Sequence, residues 1–208
     1  FCLAKQPAKL AGTLEAAGFR VDQVGPLQVF CPGNRAGPQV VPLFDAAMLR
    51  VGAGIADLKL SKKSGELLVT YALGSCLGVA IHDPEAKVGG ILHAMLPSAS
   101  ADQGRGDFNP AKFVDSGVTT LFKEAYRMGA RKERIVAKVA GGASLASGGG
   151  QDSFQIGKRN IVALKKLFWK NGVLLKGEDL GGHISRTMTL DVATGEIRIK
   201  SNGQETIL

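Results

Sequence analysis

The chain has 208 residues, room for one domain with a sizeable core plus an appendage. Hydrophobic residues make up 45% and charged residues 21%, a globular composition, and no run approaches the roughly 20 apolar residues of a helical membrane span, so membrane insertion is not expected. A net charge of +8 favours acidic partners, but at 6% aromatics few rings are available to stack on bases, so nucleic acid is not expected as a partner.

Cys2, Cys31 and Cys76 form no disulfide framework and show no zinc-ligand spacing, which points to a reducing, cytoplasmic compartment. The chain opens on Phe1 rather than Met, so its start is expected to be the edge of a fragment. Residues 1–47 read as an extension of unknown role. A short helical pattern through Leu10, Leu14 and Ala17 stops at Gly18, and Pro26, Pro32, Gly33, Gly37 and Pro38 break any further periodicity. Residues 48–208 read as one continuous domain. Leu49–Val51, Ile55–Leu60 and Glu66–Ala72 are predicted strands, and Val79–His82 and Val88–Leu92 flank a turn at Asp83-Pro84. After a polar loop over Pro97–Asn109, Asn109 as N-cap and Pro110 at the first position predict a helix. Val114, Val118, Leu121, Ala125 and Met128 form its apolar face, and Gly129 its stop.

Ile135–Val139 is a predicted buried strand and Gly141–Gly150 a loop of small residues. A second helix is expected over about Gly157–Asn171, with Ile161, Leu164 and Phe168 inward and Lys158, Lys165, Lys166 and Lys170 outward. Arg186–Val192 and Glu196–Lys200, joined at Thr194-Gly195, predict a hairpin. There is no regular βαβ alternation. The expected fold class is α+β, with mixed β-sheets in a sandwich-like core flanked by helices.

The chemistry concentrates in Thr70-Tyr-Ala-Leu-Gly-Ser-Cys76-Leu-Gly78 and in Gly89-Gly-Ile-Leu-His93-Ala-Met-Leu-Pro97. Gly74, Ser75 and Gly78 around Cys76 permit a sharp turn that exposes the sulfur and aims backbone N–H groups at a substrate oxygen. A free thiol, with a pKa of roughly 8.5, is mostly protonated at neutral pH and needs a base to act as a nucleophile. His93 supplies one if the strands bring the two together. Thr70 can accept a hydrogen bond from the other ring nitrogen and fix the tautomer. Taken singly, each residue has a plainer reading: a core cysteine, a structural histidine, and a threonine placed by β-propensity.

At these residues the sequence resembles the CheD family of chemoreceptor glutamine deamidases. That family carries a threonine, a Gly-Ser-Cys six residues on, and then a histidine before Met-Leu-Pro; here the steps are 70 to 76 and 76 to 93. The likeness continues through Asp83-Pro84, Asp115-Ser116, Gly141-Gly142-Ala143-Ser144, Arg159-Asn160, Glu178-Asp179 with Gly181-Gly182, and Thr194-Gly195. It departs at His183, where the family usually has Asn, and before Met48. The resemblance implies a cysteine hydrolase that converts receptor glutamines to glutamate, with hydrolysis of glutamyl methyl esters as a second activity. It implies Cys76 as nucleophile, His93 as base, Thr70 as its orienter and the Gly74–Gly78 turn as the oxyanion site. No metal or organic cofactor is implied. The implied partners are the cytoplasmic helices of a methyl-accepting chemotaxis protein and a CheC-like phosphatase.

Two other readings use the same residues. Gly74-Ser-Cys-Leu-Gly78 formally fits the nucleophile elbow of an α/β-hydrolase, which would nominate His183 as base. A basic protein-binding module would instead keep Cys76 buried and inert and dock through the lysine-rich helix. His82, before Asp83-Pro84, reads as a strand-end structural residue.

Overall fold

Strands β4 (Leu77–Asp83) and β5 (Val88–Ala94) are buried at every position, and this places them at the centre of the fold. A strand covered on both faces reads as a continuous apolar run rather than an alternating one, as Leu-Gly-Val-Ala-Ile and Val-Gly-Gly-Ile-Leu do. In this computed structural model the described residues are 49–100, 108–144 and 154–208. The extension expected at 1–47 lies outside them, as do 145–150 of the small-residue loop.

The remaining elements are β1 (Leu49–Ala53), β2 (Asp57–Ser61), β3 (Glu66–Leu73), α1 (Val114–Arg127), β6 (Val136–Gly141), α2 (Ile156–Lys170), β7 (Leu175–Leu180), β8 (Arg186–Asp191), β9 (Ile197–Ser201) and β10 (Gln204–Ile207). They form two five-stranded sheets, ordered β1-β3-β8-β9-β10 and β2-β5-β4-β6-β7. The β1–β3 and β6–β7 pairs are parallel and the others antiparallel. The α+β expectation holds. The α/β-hydrolase reading does not, because β4 runs antiparallel to both its neighbours.

Side-chain parity makes this a three-layer structure. Leu77, Val79 and Ile81 of β4 and Val88, Leu92 and Ala94 of β5 pack with Val114, Val118, Leu121, Leu164 and Phe168 of the helices. The alternate residues, Ala80 and Ile91, pack against Leu68, Met188, Leu190, Ile197 and Ile199 of the first sheet. The second sheet is therefore covered by helices on one face and by the first sheet on the other. Truncating a fully buried leucine such as Leu92 in such a core costs about 2–5 kcal/mol. No helix among the described residues is long and apolar enough to cross a membrane.

Asn109 caps a separate 3-10 turn over Pro110–Lys112, not the long helix, which begins at Val114 without a side-chain cap. The break is imposed from outside the segment. The Lys112 carbonyl accepts from the amides of Met95 and Leu96, and Val114 N–H donates to Leu96 O at 2.8 Å. These bonds hold Phe113 extended beside the exit of β5. The second helix turns its lysines outward as expected: Lys158, Lys165, Lys166 and Lys170 are exposed and Leu164 and Phe168 are buried.

Candidate active site

The turn that carries Cys76 forms where the chain passes from one sheet to the other. The β3–β8 register slips between Thr70 and Leu73, Ala72 adopts φ +57°, and Gly74 N–H donates to Ala72 O at 2.9 Å. That irregularity ends β3 and swings the chain into β4. Three successive carbonyls of the turn are then tied down: Gly74 O by Ala143 N–H at 2.8 Å, Ser75 O by the Asn160 side chain at 2.9 Å, and Cys76 O by Gly142 N–H at 2.8 Å. Among the described residues no backbone carbonyl takes the amides of Ser75 and Cys76, and the Cys76 N–H lies against its own sulfur. Gly78 lies beyond the turn, inside β4, where Leu73 Cδ1 stands 2.6 Å from the place a Cβ would occupy. The close approach of the two sheets therefore depends on this glycine.

The supporting segment at the end of β6 has a narrow tolerance. Gly141 sits at φ +114°, and a Cβ there would fall 2.2 Å from the Cys76 carbonyl oxygen. Only glycine combines that backbone with that contact.

His93 stands opposite Gly78 in the β4–β5 ladder and opposite Asp57 of β2, and its carbonyl accepts from Ala56 N–H at 3.0 Å. Cys76 lies two residues before Gly78, just outside the ladder, and packs against the apolar cluster of the first sheet. The imidazole points between the sheets. There its Nδ1 meets Thr70 Oγ1 of β3 at 2.7 Å, with Thr70 fully buried and His93 only 1% exposed. Nε2 is buried and has no hydrogen-bond partner among the described residues. With Nδ1 carrying the proton and the threonine oxygen accepting it, Nε2 keeps a free lone pair.

Burial pushes the His93 imidazole below its ordinary value and, against a smaller opposing pull from the residue's own backbone N–H, raises the Cys76 thiol. Both groups are therefore neutral at rest. Cys76 is half-buried, not sealed in the core. The arrangement brings a thiol, an imidazole and the backbone amides of a tight turn to one end of a strand pair.

The other histidines stand elsewhere. His82, at the far end of β4, is buried with Nε2 donating to Val192 O at 3.0 Å. His183 is exposed, with Nδ1 at 2.9 Å from the Ser144 carbonyl. Its loop is tied to the β6 end by Gly181 N–H to Gly141 O, and it is held by Arg186, whose guanidinium takes both Asp179 oxygens and the carbonyls of Gly181 and Ile184. Neither Arg186 nor Asn160 emerges as a site residue from the sequence. Asn160 carried a signal nonetheless, because it lies four residues before Leu164 and eight before Phe168, a polar residue on the apolar face of a helix. Among the described residues no cluster of His, Cys, Asp or Glu has the makings of a metal site.

A family model described as CheD chemotactic sensory transduction matches residues 95–201. The chain is 48% identical over 149 residues to a probable chemoreceptor glutamine deamidase CheD 1 of Syntrophus aciditrophicus, covering 72% of this chain and 92% of that one. It is 43% identical to a probable chemoreceptor glutamine deamidase CheD of Solibacter usitatus, covering 76% and 92% respectively. It is 41% identical to another of that name from Thermococcus kodakarensis, covering 75% and 96%.

Proposed function

The chain belongs to the CheD family, and from that premise we propose that it is a protein-glutamine glutaminase whose substrate is a glutamine side chain on the cytoplasmic helices of a chemoreceptor. Cys76 is the nucleophile, His93 the general base and acid, and Thr70 the group that orients His93. The observation that carries this reading is the buried Thr70–His93 contact at 2.7 Å, with Nε2 lacking a partner among the described residues on the side of the sheet where Cys76 packs.

The reaction begins from the neutral pair. Nε2 of His93 takes the thiol proton as Sγ bonds to the side-chain carbonyl carbon of the glutamine. Charge that develops on the carbonyl oxygen is met by the amides of Ser75 and Cys76, donors of a kind worth about 10²–10³ in kcat each. The imidazolium then gives its proton to the amide nitrogen, the C–N bond breaks, and ammonia leaves behind a thioester. Water passes a proton to Nε2 and adds to the thioester carbon. The C–S bond breaks, the sulfur recovers its proton, and glutamate is released. A glutamyl methyl ester follows the same steps with methanol as the leaving group. A CheC-like phosphatase remains the second partner that the family suggests.

The test is incubation with a receptor cytoplasmic fragment, reading amide-to-acid conversion by peptide mass spectrometry and released ammonia. Cys76→Ala is expected to give no conversion in a folded protein. Wild-type conversion by that variant would refute the assignment.

A further inference from the structure

The site is held together by a residue that touches neither the sulfur nor the imidazole. Asn160 is fully buried in the first turns of α2. Its Nδ2 donates to two carbonyls, Ser75 O and Met95 O, both at 2.9 Å. Ser75 immediately precedes Cys76, and Met95 lies two residues beyond His93. One NH₂ group thus spans the two backbone segments that present the thiol and the base. Its orientation is dictated by chemistry, since a flipped amide would set Oδ1 against two carbonyl oxygens. The remaining atom, Oδ1, is buried and has no hydrogen-bond partner among the described residues. Leaving an acceptor unpaired in the interior is unfavourable, and a polar side chain kept on those terms is one whose two donors matter.

The helix that supplies it is itself locked to the turn. A Cβ on Gly157 would fall 2.4 Å from Gly142 O, and Gly142 N–H holds Cys76 O. The base of α2, the end of β6 and the cysteine turn are therefore packed directly on one another.

We propose that Asn160 is a positioning residue that sets the distance between Cys76 and His93 by bracing Ser75 O against Met95 O. This rests on the reading of Cys76 and His93 as nucleophile and base. A misplacement of about 1 Å at a reacting centre costs on the order of 10²-fold in rate, so the brace need shift only slightly to be felt. Asn160→Asp keeps the shape but turns a carboxyl oxygen toward the two carbonyls. Asn160→Ala removes the donors altogether.

The experiment is a double-mutant cycle on the rate at which iodoacetamide alkylates Cys76, read at that residue by peptide mass, so that it does not depend on the identity of the substrate. In the His93-containing protein, Asn160→Asp is expected to slow alkylation by about 10-fold or more, within what a small misplacement produces. In the His93→Ala background the same change is expected to have little further effect, because the distance it sets no longer matters. Independent, multiplying losses would overturn the proposal, as would unaltered alkylation in Asn160→Asp and Asn160→Ala. Failure of both variants to fold, judged by circular dichroism, would also overturn it by making Asn160 a structural residue only. On the receptor fragment, kcat is expected to fall with KM little changed. If the wild-type protein alkylates with His93 dependence yet deamidates nothing, the substrate reading fails while the brace stands.

Discussion

The β4–β5 strand pair has two ends, and each carries a buried histidine on the face toward the first sheet. At one end His82 donates to Val192 O, and Asp83 accepts from the amides of Glu85, Ala86 and Arg131 and from the Arg134 guanidinium. At the other, His93 holds Thr70 through one nitrogen and, among the described residues, leaves the other without a partner, beside a turn whose Ser75 and Cys76 amides meet no backbone carbonyl of those residues. The two rings differ in what they meet: His82 spends Nε2 on a backbone carbonyl, whereas His93 contacts a side-chain hydroxyl at the end of the sheet that carries Cys76. Burial alone does not distinguish them, since His82 is 4% and His93 1% exposed. The buried Nε2 of His93, which has no hydrogen-bond partner among the described residues, does.

The sharpest way to break this comparison is to remove each ring. His93→Ala is expected to reduce deamidation by on the order of 10²–10⁴-fold, the usual contribution of a general base, with the fold retained. His82→Ala is expected to leave turnover per folded molecule unchanged and to lower stability by about 1–3 kcal/mol through the orphaned Val192 carbonyl. Receptor-fragment turnover and urea unfolding on both proteins check this, and an inactive, fully folded His82→Ala would sink the distinction.

Each end also has a glycine pressed against it. A Cβ on Gly141 would meet Cys76 O at 2.2 Å, and one on Gly195, at φ +76°, would meet His82 Nδ1 at 2.3 Å. Overpacking costs about 1–3 kcal/mol and a left-handed backbone about 1–2 kcal/mol more, so Gly141→Ala and Gly195→Ala should both unfold at lower temperature. Only Gly141→Ala should also lose activity in the fraction that remains folded, because it displaces the carbonyl of Cys76. Equal activity in the two folded variants would contradict this.

Acid separates the ends by stability. Burial pushes the Asp83 carboxyl upward, but the amides of Ala86, Arg131 and Glu85 and the Arg134 guanidinium outweigh it and hold the group at about 2, against 3.8 when unperturbed. A depressed carboxylate contributes stability that is fully present above its unfolded pKa and is lost as pH falls through the folded one. The contribution is about 2 kcal/mol, lost between about pH 4 and pH 2. Asp83→Asn should lower stability at neutral pH by a similar amount and flatten that acid loss. An unchanged acid profile in the variant would assign the loss to other groups.

The smallest effect concerns the resting site. With His93 held below the ordinary imidazole value and Cys76 above the ordinary thiol value, the free protein holds no thiolate–imidazolium pair. Alkylation of Cys76 should therefore keep rising past the ordinary thiol value of roughly 8.5, with no plateau near pH 6. A plateau on the acid side would mean the pair is ionised at rest.

Much of the fold was legible in the chain, for local reasons. The hydrophobic periods of both helices, the glycines that end them and the Thr194-Gly195 hairpin are set by residues near one another in sequence. The strands β7 and β10 were not read. Leu-Lys-Gly-Glu-Asp-Leu has little strand propensity and becomes β7 only by lying parallel to β6. For β10 a local signal did exist in Asn202-Gly203, both at positive φ in the turn to the preceding strand, but Gln-Glu-Thr-Ile is wholly exposed and shows no apolar alternation.

The site divides in the same way. The residue types and the glycine-flanked cysteine are properties of the sequence, because a thiol, an imidazole and a permissive turn are chemistry that a short segment carries with it. The tertiary structure decided what each ring meets on the opposite sheet: Val192 O for His82 Nε2 and Thr70 for His93 Nδ1, with His93 Nε2 buried and without a hydrogen-bond partner among the described residues. It also placed Asn160, 84 residues beyond Cys76 in the chain, against both halves of the site. Those are long-range contacts between packed layers, and no local pattern of residues encodes them.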